Sequence, residues 1–117
     1  MSFEVNRGEQ QDGVRLVVIK GQLDAHSYHL LKDELKSLLD EGDTRIVLDC
    51  SELEYISSAG LGTLKQMRKE LAGKDGDLRL ARVPAKISNI LNLLGFSKIM
   101  QIYESNEDAV GSYGAAT

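Results

Sequence analysis

The alternation of hydrophobic and polar residues predicts several short strands. Phe3 and Val5 alternate with polar neighbours, which is typical of an edge strand. The stretch 8–13 is rich in glycine and polar residues and predicts a turn, and the apolar run at 14–19 predicts a second strand that completes a hairpin. The apolar run within 45–49 predicts a third, buried strand. Two further short strands are predicted at 78–80 and 100–103.

Between these strands, apolar residues recur at the spacing of one helix face. The spacing holds over 28–39, 61–71 and 87–94, and each segment predicts an amphipathic helix. Asp24 is placed to cap the first of them, and Pro84 suits the first turn of the third. A last short helix is predicted at 106–110.

The order of these elements predicts an α/β fold. Strands that alternate with helices after residue 14 favour parallel strands joined by right-handed crossovers, with a mixed sheet of four to five strands and about four helices packed against it. A chain of 117 residues is long enough for one compact domain and too short for two. We therefore expect a single domain over 1–110. The small and polar residues 111–117 predict a disordered tail.

Composition and charge exclude several classes of function. Hydrophobic residues make up 42% of the chain and charged residues 27%, as in an ordinary globular protein. With 14 basic and 18 acidic residues, the net charge of -4 argues against a nucleic-acid surface. The single cysteine, Cys50, allows no internal disulfide and is expected to be a buried small hydrophobe. No segment has the length of a membrane span or the pattern of a signal peptide, so we expect a cytoplasmic protein without membrane insertion.

The stretch 48–62, LDCSELEYISSAGLG, predicts a strand-loop-helix junction around which the other elements are arranged. Ser57 and Ser58 stand where the helix should begin, and serine is a preferred N-cap residue. The small residues Ala59, Gly60 and Gly62 follow. Without large side chains, this first helical turn can lie close to the sheet or leave a flat backbone surface for another protein.

The chain offers little for catalysis or for cofactor and metal binding. A set of Ser58, Asp24 and one of the two histidines, His26 and His29, can be sketched, but there is no Gly-x-Ser-x-Gly motif and no pattern for an oxyanion hole. The two histidines and Asp33 share a helix face, a pattern more often formed by solvated side chains than by a metal site. The pair Gly60-x-Gly62 lacks the rest of a phosphate loop. We therefore expect no enzyme activity, no cofactor and no metal.

The junction resembles the signature of STAS domains, in particular those of bacterial anti-sigma factor antagonists. The resemblance rests on Asp49, on the segment Ser57-Ser58-Ala59-Gly60-Leu61-Gly62 and on Gly21-Gln22-Leu23-Asp24, and it extends over about residues 3–110. It implies the STAS fold. In that family a serine at the position of Ser58 is phosphorylated. The family has aspartate at the preceding position, where this chain has Ser57, so Ser57 is the alternative acceptor of the phosphate.

The resemblance also implies a function and its partners. An unmodified antagonist binds an anti-sigma factor that is a serine kinase, phosphorylation of Ser58 by that kinase dissociates the complex, and a PP2C-type phosphatase resets the system. The implied partner-binding surface consists of Asp24, Ser57, Ser58, Ala59, Gly60, Leu61 and Gly62. On this interpretation the protein is a substrate and a binding module without catalytic residues of its own.

Two alternatives remain open at this point. Stand-alone STAS domains also serve as small subunits of lipid-transporting ABC systems, where they bind the ATPase and need no phosphorylation cycle. A partner-switching antagonist can also control an output other than a sigma factor, such as secretion or motility. The adjacent serines favour a phosphorylation switch over the transporter role.

Overall fold

The computed structural model describes residues 2–114, which form one mixed sheet with helices on both faces. The five strands are β1 Phe3–Gln11, β2 Val14–Leu23, β3 Arg45–Ile56, β4 Asp77–Ala81 and β5 Ile102–Tyr103. The four α-helices are α1 Tyr28–Asp40, α2 Ser58–Ala72, α3 Ala85–Leu93 and α4 Asn106–Gly111, and a single 3-10 turn covers Phe96–Lys98. The strands lie in the order β1-β2-β3-β4-β5, with β1 antiparallel to β2 and the other pairs parallel. This confirms the predicted fold class.

The core lies mainly between the sheet and helices α1, α2 and α3. Alternate residues of β3 point to opposite faces, so that Ile46 and Leu48 pack with these helices while Val47 faces α4. On the α4 side the buried cluster is smaller and includes Ala109 and Val110. The carboxyl ends of the parallel strands β2 and β3 meet the start of α2 at one edge of this sheet. Within residues 2–114, no helix combines the length and hydrophobicity needed to cross a bilayer.

The first hairpin and the third strand both extend further than predicted. The turn predicted at 8–13 narrows to Asp12 and Gly13, whose φ angles of 53° and 80° suit a two-residue hairpin turn. Strand β3 was predicted to end at Asp49 but continues to Ile56. It continues because β2 runs beside it along its whole length, up to the pair formed by Leu23 and Ile56.

The end of the chain also differs from the sequence prediction. We expected disorder from residue 111, but Tyr113 packs against the sheet. Its hydroxyl lies 2.8 Å from each of two backbone carbonyl oxygens, those of Ile46 and Asp77. The guanidinium of Arg79 lies 4.0 Å from the centre of its ring. The ordered domain therefore includes Tyr113, while 115–117 lie outside the described residues.

Candidate functional site

The junction between β3 and α2 positions the two adjacent serines differently. Ser57 is the N-cap residue, with extended backbone angles (φ -98°, ψ 177°), and its side-chain oxygen accepts a hydrogen bond from the backbone N–H of Gly60 at 3.4 Å. Ser57 is half-buried. Ser58 is the first residue of α2 and is exposed. The hydroxyl of Ser58 is therefore accessible to an enzyme, whereas that of Ser57 serves the helix.

The two glycines of the junction have opposite environments. A Cβ atom built on Gly60 would lie 2.8 Å from the carbonyl oxygen of Leu23 and 2.9 Å from a side-chain carbon of Ile56. A Cβ atom on Gly62 would meet nothing within 4 Å. Gly60 therefore allows α2 to approach the strand ends closely, and Gly62 leaves an open surface. The sequence predicted either a close approach to the sheet or an open surface for these small residues, and the structure assigns the first role to Gly60 and the second to Gly62.

Asp24 lies beside this junction. Leu23 at the end of β2 pairs with Ile56 at the end of β3. The next residue, Ser57, donates its N–H to the carbonyl oxygen of Leu23 at 2.9 Å. Asp24 follows Leu23 directly, so the parallel register brings Asp24 next to Ser57 at the carboxyl end of the sheet. The structure therefore places together the two sequence elements that the resemblance treated as one surface.

The carboxylate of Asp24 is held by its own loop. It accepts hydrogen bonds from the N–H of His26 at 2.9 Å and from the N–H of Ser27 at 3.2 Å. The bond from His26, with those from Ser27, holds the pKa of Asp24 below its usual range. We predicted Asp24 as the cap of α1, but the N-cap position belongs to Ser27. Asp24 instead closes the turn that precedes the helix, and its carboxylate remains ionised at neutral pH.

Tyr55 is a component of this surface that was not predicted from the sequence. Tyr55 lies in the part of β3 that was predicted to be a loop, and the residue is 45% exposed. It pairs with Gln22 across the strands, two residues before the Ser57 cap. The sequence feature that could have indicated this role is an aromatic residue within a polar stretch next to the serines. Exposed aromatic residues are common at protein interfaces, so Tyr55 extends the candidate binding surface.

The other reactive side chains considered in the sequence are those of Cys50, His26 and His29. Cys50 is buried, and that burial, reinforced by the nearby charge of Asp49, raises the pKa of its thiol to about 12. His29 packs its ring edge-on against Tyr28, and His26 contributes its backbone N–H to Asp24. In the part of the chain that the structure describes, no group of three or more His, Cys, Asp or Glu residues is placed to hold a metal ion. Ser58 is thus the exposed serine of the candidate surface.

Alanine substitutions distinguish the two serines. We expect Ser57→Ala to lower the free energy of unfolding by about 1 kcal/mol, because the helix loses its N-cap bond. Ser58→Ala is the matched control and should change stability by less than about 0.5 kcal/mol, since its side chain is exposed. Urea denaturation followed by circular dichroism measures both. Equal losses in the two variants would contradict the assignment of the cap to Ser57.

Comparison with known proteins identifies relatives over nearly the whole chain. The family model described as STAS domain matches residues 7–109. BtrV of Bordetella bronchiseptica is 30% identical over 105 residues, which cover 90% of each chain. The crystal structure of an anti-sigma factor antagonist from Mycobacterium paratuberculosis superposes with a TM-score of 0.82 at 25% identity, covering 95% of this chain and 93% of that one.

A third similar structure is known in two states. SpoIIAA, an anti-sigma factor antagonist of Bacillus, superposes in its unphosphorylated form with a TM-score of 0.72 at 15% identity, covering 94% of this chain and 96% of that one. Its phosphorylated form gives a TM-score of 0.71 at 17% identity, covering 94% and 99%. At these identities the likeness concerns the fold. The fold of SpoIIAA is thus similar to that of this chain in both states.

Proposed function

Because the chain belongs to the STAS domain family, we propose that it is an anti-sigma factor antagonist that works by partner switching. In its unmodified form it binds an anti-sigma factor that is also a serine kinase. Phosphorylation of Ser58 by that kinase releases the complex, and a PP2C-type phosphatase restores the binding form. The protein itself is the substrate and the binding module of this cycle, and we place the cycle in the cytoplasm.

The observation that carries this proposal is the difference between the two serines. The hydroxyl of Ser58 is exposed at the start of α2, while the oxygen of Ser57 accepts the N–H of Gly60. A kinase needs access to the acceptor oxygen, and Ser58 offers that access without opening the helix cap. This favours Ser58 over Ser57 as the acceptor.

The charge of a phosphate explains how the complex would be released without unfolding the domain. Phosphoserine adds about 1.5 to 2 negative charges. At a helix N-terminus, the unpaired N–H groups and the helix dipole stabilise an anion, so α2 tolerates the modification. A partner docked over Ser58 and Gly62 would instead have to bury or face a dianion. Release therefore follows from a change at the surface alone.

The Asp24 carboxylate adds to this effect. Asp24 follows Leu23, whose carbonyl oxygen accepts the N–H of Ser57, and its carboxylate is ionised at neutral pH, with its pKa held low by its loop. A phosphate on Ser58 would add to an existing negative charge, so the surface would change from weakly to strongly acidic. An acidic or apolar partner surface would be rejected more strongly than by the phosphate alone.

A phosphorylation assay with a trapped partner tests the proposal. Ser58→Ala should co-purify from native cells with a serine kinase, since the complex of this variant cannot be released. Incubated with that kinase and Mg-ATP, the wild-type protein should gain one phosphoryl group on Ser58, located by peptide mass spectrometry, and its affinity for the kinase should fall at least about tenfold.

Ser57→Ala is the matched control and should still be phosphorylated and released. Phosphate on Ser57 in the wild-type protein would reassign the acceptor. Binding to a transporter ATPase, with no phosphorylated form under any growth condition, would contradict the partner-switching cycle and favour the transporter role.

A further inference from the structure

The outer edge of β1 carries no neighbouring strand within residues 2–114. β1 is the first strand of the sheet order and pairs only with β2. An unpaired edge presents backbone N–H and C=O groups that can bind a further strand. Nine residues, Phe3–Gln11, belong to this strand.

The register identifies which residues direct their backbone groups outward. The N–H of Gln22 donates to the carbonyl oxygen of Ser2 at 3.2 Å, so Ser2 and Gln22 form a hydrogen-bonded pair. Two residues further along β1, Glu4 and Lys20 form the next hydrogen-bonded pair. In an antiparallel pair, hydrogen-bonded and non-hydrogen-bonded positions alternate. Phe3, Val5 and Arg7 occupy the non-hydrogen-bonded positions, so their N–H and C=O groups point to the free edge.

A groove with an apolar floor runs along this edge. It has a volume of about 520 Å³ and lies between β1 and α1. Phe3, Val5 and Leu30 line it, and the Leu30 side chain is 43% exposed. The same residues of β1 that offer outward backbone groups, Phe3 and Val5, therefore also face this floor. A strand added at the edge would place alternate side chains over the groove.

The rim of the groove is acidic. Asp33 and Glu34 line it on the α1 side, and Glu34 forms an ion pair with Arg7. Glu4 alternates with Phe3 and Val5, so its side chain lies on the opposite face of β1, in a depression that Lys20 and Glu52 also line. A second copy of this chain would bring two such rims together, and like charges would oppose that pairing. An added strand that sets apolar side chains over the groove directs its other side chains to the opposite face, where basic residues would complement Glu4.

The groove is continuous with the surface around Asp24. A second depression of about 290 Å³ shares Phe3 and Leu30 with the first, and it is also lined by Ser2, Asp24 and Ser27. A segment lying along β1 therefore ends next to the serine junction. One partner protein can contact both places.

We infer that β1 is a docking edge for an extended segment of a partner protein, in which apolar residues alternate with lysine or arginine. The added strand forms backbone hydrogen bonds with Phe3, Val5 and Arg7 and sets its apolar side chains against Leu30. This contact does not involve Ser58, so phosphorylation of Ser58 leaves the edge itself unchanged. The binding of such a segment is independent of the phosphorylation cycle and is tested apart from it.

The test uses an acetylated, amidated heptapeptide of alternating lysine and valine, with a glutamate-valine peptide as the charge control. Amide hydrogen exchange of the full-length protein is measured by NMR. Saturating lysine-valine peptide should slow exchange at Phe3, Val5 and Arg7 at least tenfold, with smaller changes at the already paired Glu4 and Asn6. The glutamate-valine peptide should leave these rates unchanged.

Two variants complete the test. Leu30→Lys should abolish the protection, because it places a cation on the groove floor, and Leu93→Lys should preserve it, since Leu93 is 86% exposed on α3 and does not line the groove. Both variants should keep the wild-type circular dichroism spectrum. The inference would be overturned if both peptides protected these amides equally, or if Leu30→Lys kept the protection. It would also be overturned if protection of the three amides rose with protein concentration in the absence of peptide.

Discussion

Replacing Gly60 with alanine should lower the free energy of unfolding by about 2 to 3 kcal/mol, because the new methyl group overpacks the junction. The methyl would lie 2.8 Å from the backbone oxygen of Leu23 and 2.9 Å from a side-chain carbon of Ile56. The backbone oxygen belongs to the end of β2 and cannot move away as a flexible side chain can. Either α2 shifts outward or the strand end distorts, and both weaken the core below Leu61.

Gly62→Ala is the matched control, two residues further along the same helix. Its methyl group meets nothing within 4 Å. Alanine is favoured over glycine in a helix, so this variant should gain about 0.5 to 1 kcal/mol. Urea denaturation of both variants measures the difference. A stabilising effect of Gly60→Ala would show that α2 does not rest on the strand ends as described.

Helix positions could be predicted because the spacing of apolar residues on one helix face is a local pattern that can be read from the sequence without the tertiary contacts. The segment 28–39 became α1, Tyr28–Asp40, and the segment 61–71 lies within α2. The extension of β3 to Ile56 could not be predicted in the same way, since the polar residues between Cys50 and Ile56 interrupt the hydrophobic run. That stretch is a strand because β2 pairs with it, which is a contact between segments distant in sequence.

In the candidate site, too, the features set by neighbouring residues could be predicted, and those set by contacts between distant segments could not. Two serines followed by small residues indicated a helix start, and the structure has the start there. Which serine caps the helix depends on backbone angles, and it is Ser57, in the extended conformation, that does so. The position of Asp24 beside Ser57 follows from the parallel register of β2 and β3, which no local pattern contains.

Asp49→Asn should cost about 2 to 3 kcal/mol of stability at neutral pH, because a buried carboxylate accepts hydrogen bonds from several donors, some of them charged. Asp49 is 5% exposed and lies at the α4 side of β3. It accepts from the N–H of Ser51 at 2.9 Å, from the side-chain amide of Asn106 at 3.0 Å and from the guanidinium of Arg82 at 3.2 Å. An asparagine would turn its own amide donors toward some of these groups.

The same carboxylate should make part of the stability depend on pH. Burial alone would raise the pKa of Asp49, but the bonds from Asn106 and Ser51 and the charge of Arg82 outweigh it, so the pKa in the folded state is lowered. A lowered folded pKa contributes stability that is present above the unfolded value of about 3.9 and is lost as the pH falls through the folded value. The stability difference between the wild-type protein and Asp49→Asn should therefore be constant near neutral pH and shrink below about pH 4.

Urea denaturation of both proteins at several pH values measures this difference directly, because the contributions of the other carboxylates cancel. Glu54→Gln, on the exposed part of the same strand, is the control and should change stability by less than about 0.5 kcal/mol. A difference that stays constant down to pH 3 would mean that the Asp49 charge contributes nothing. Asn106 is the first residue of α4, and Arg82 follows β4. In that case the shape of the Asp49 side chain, rather than its ionisation, would hold α4 and the β4–α3 turn against the sheet.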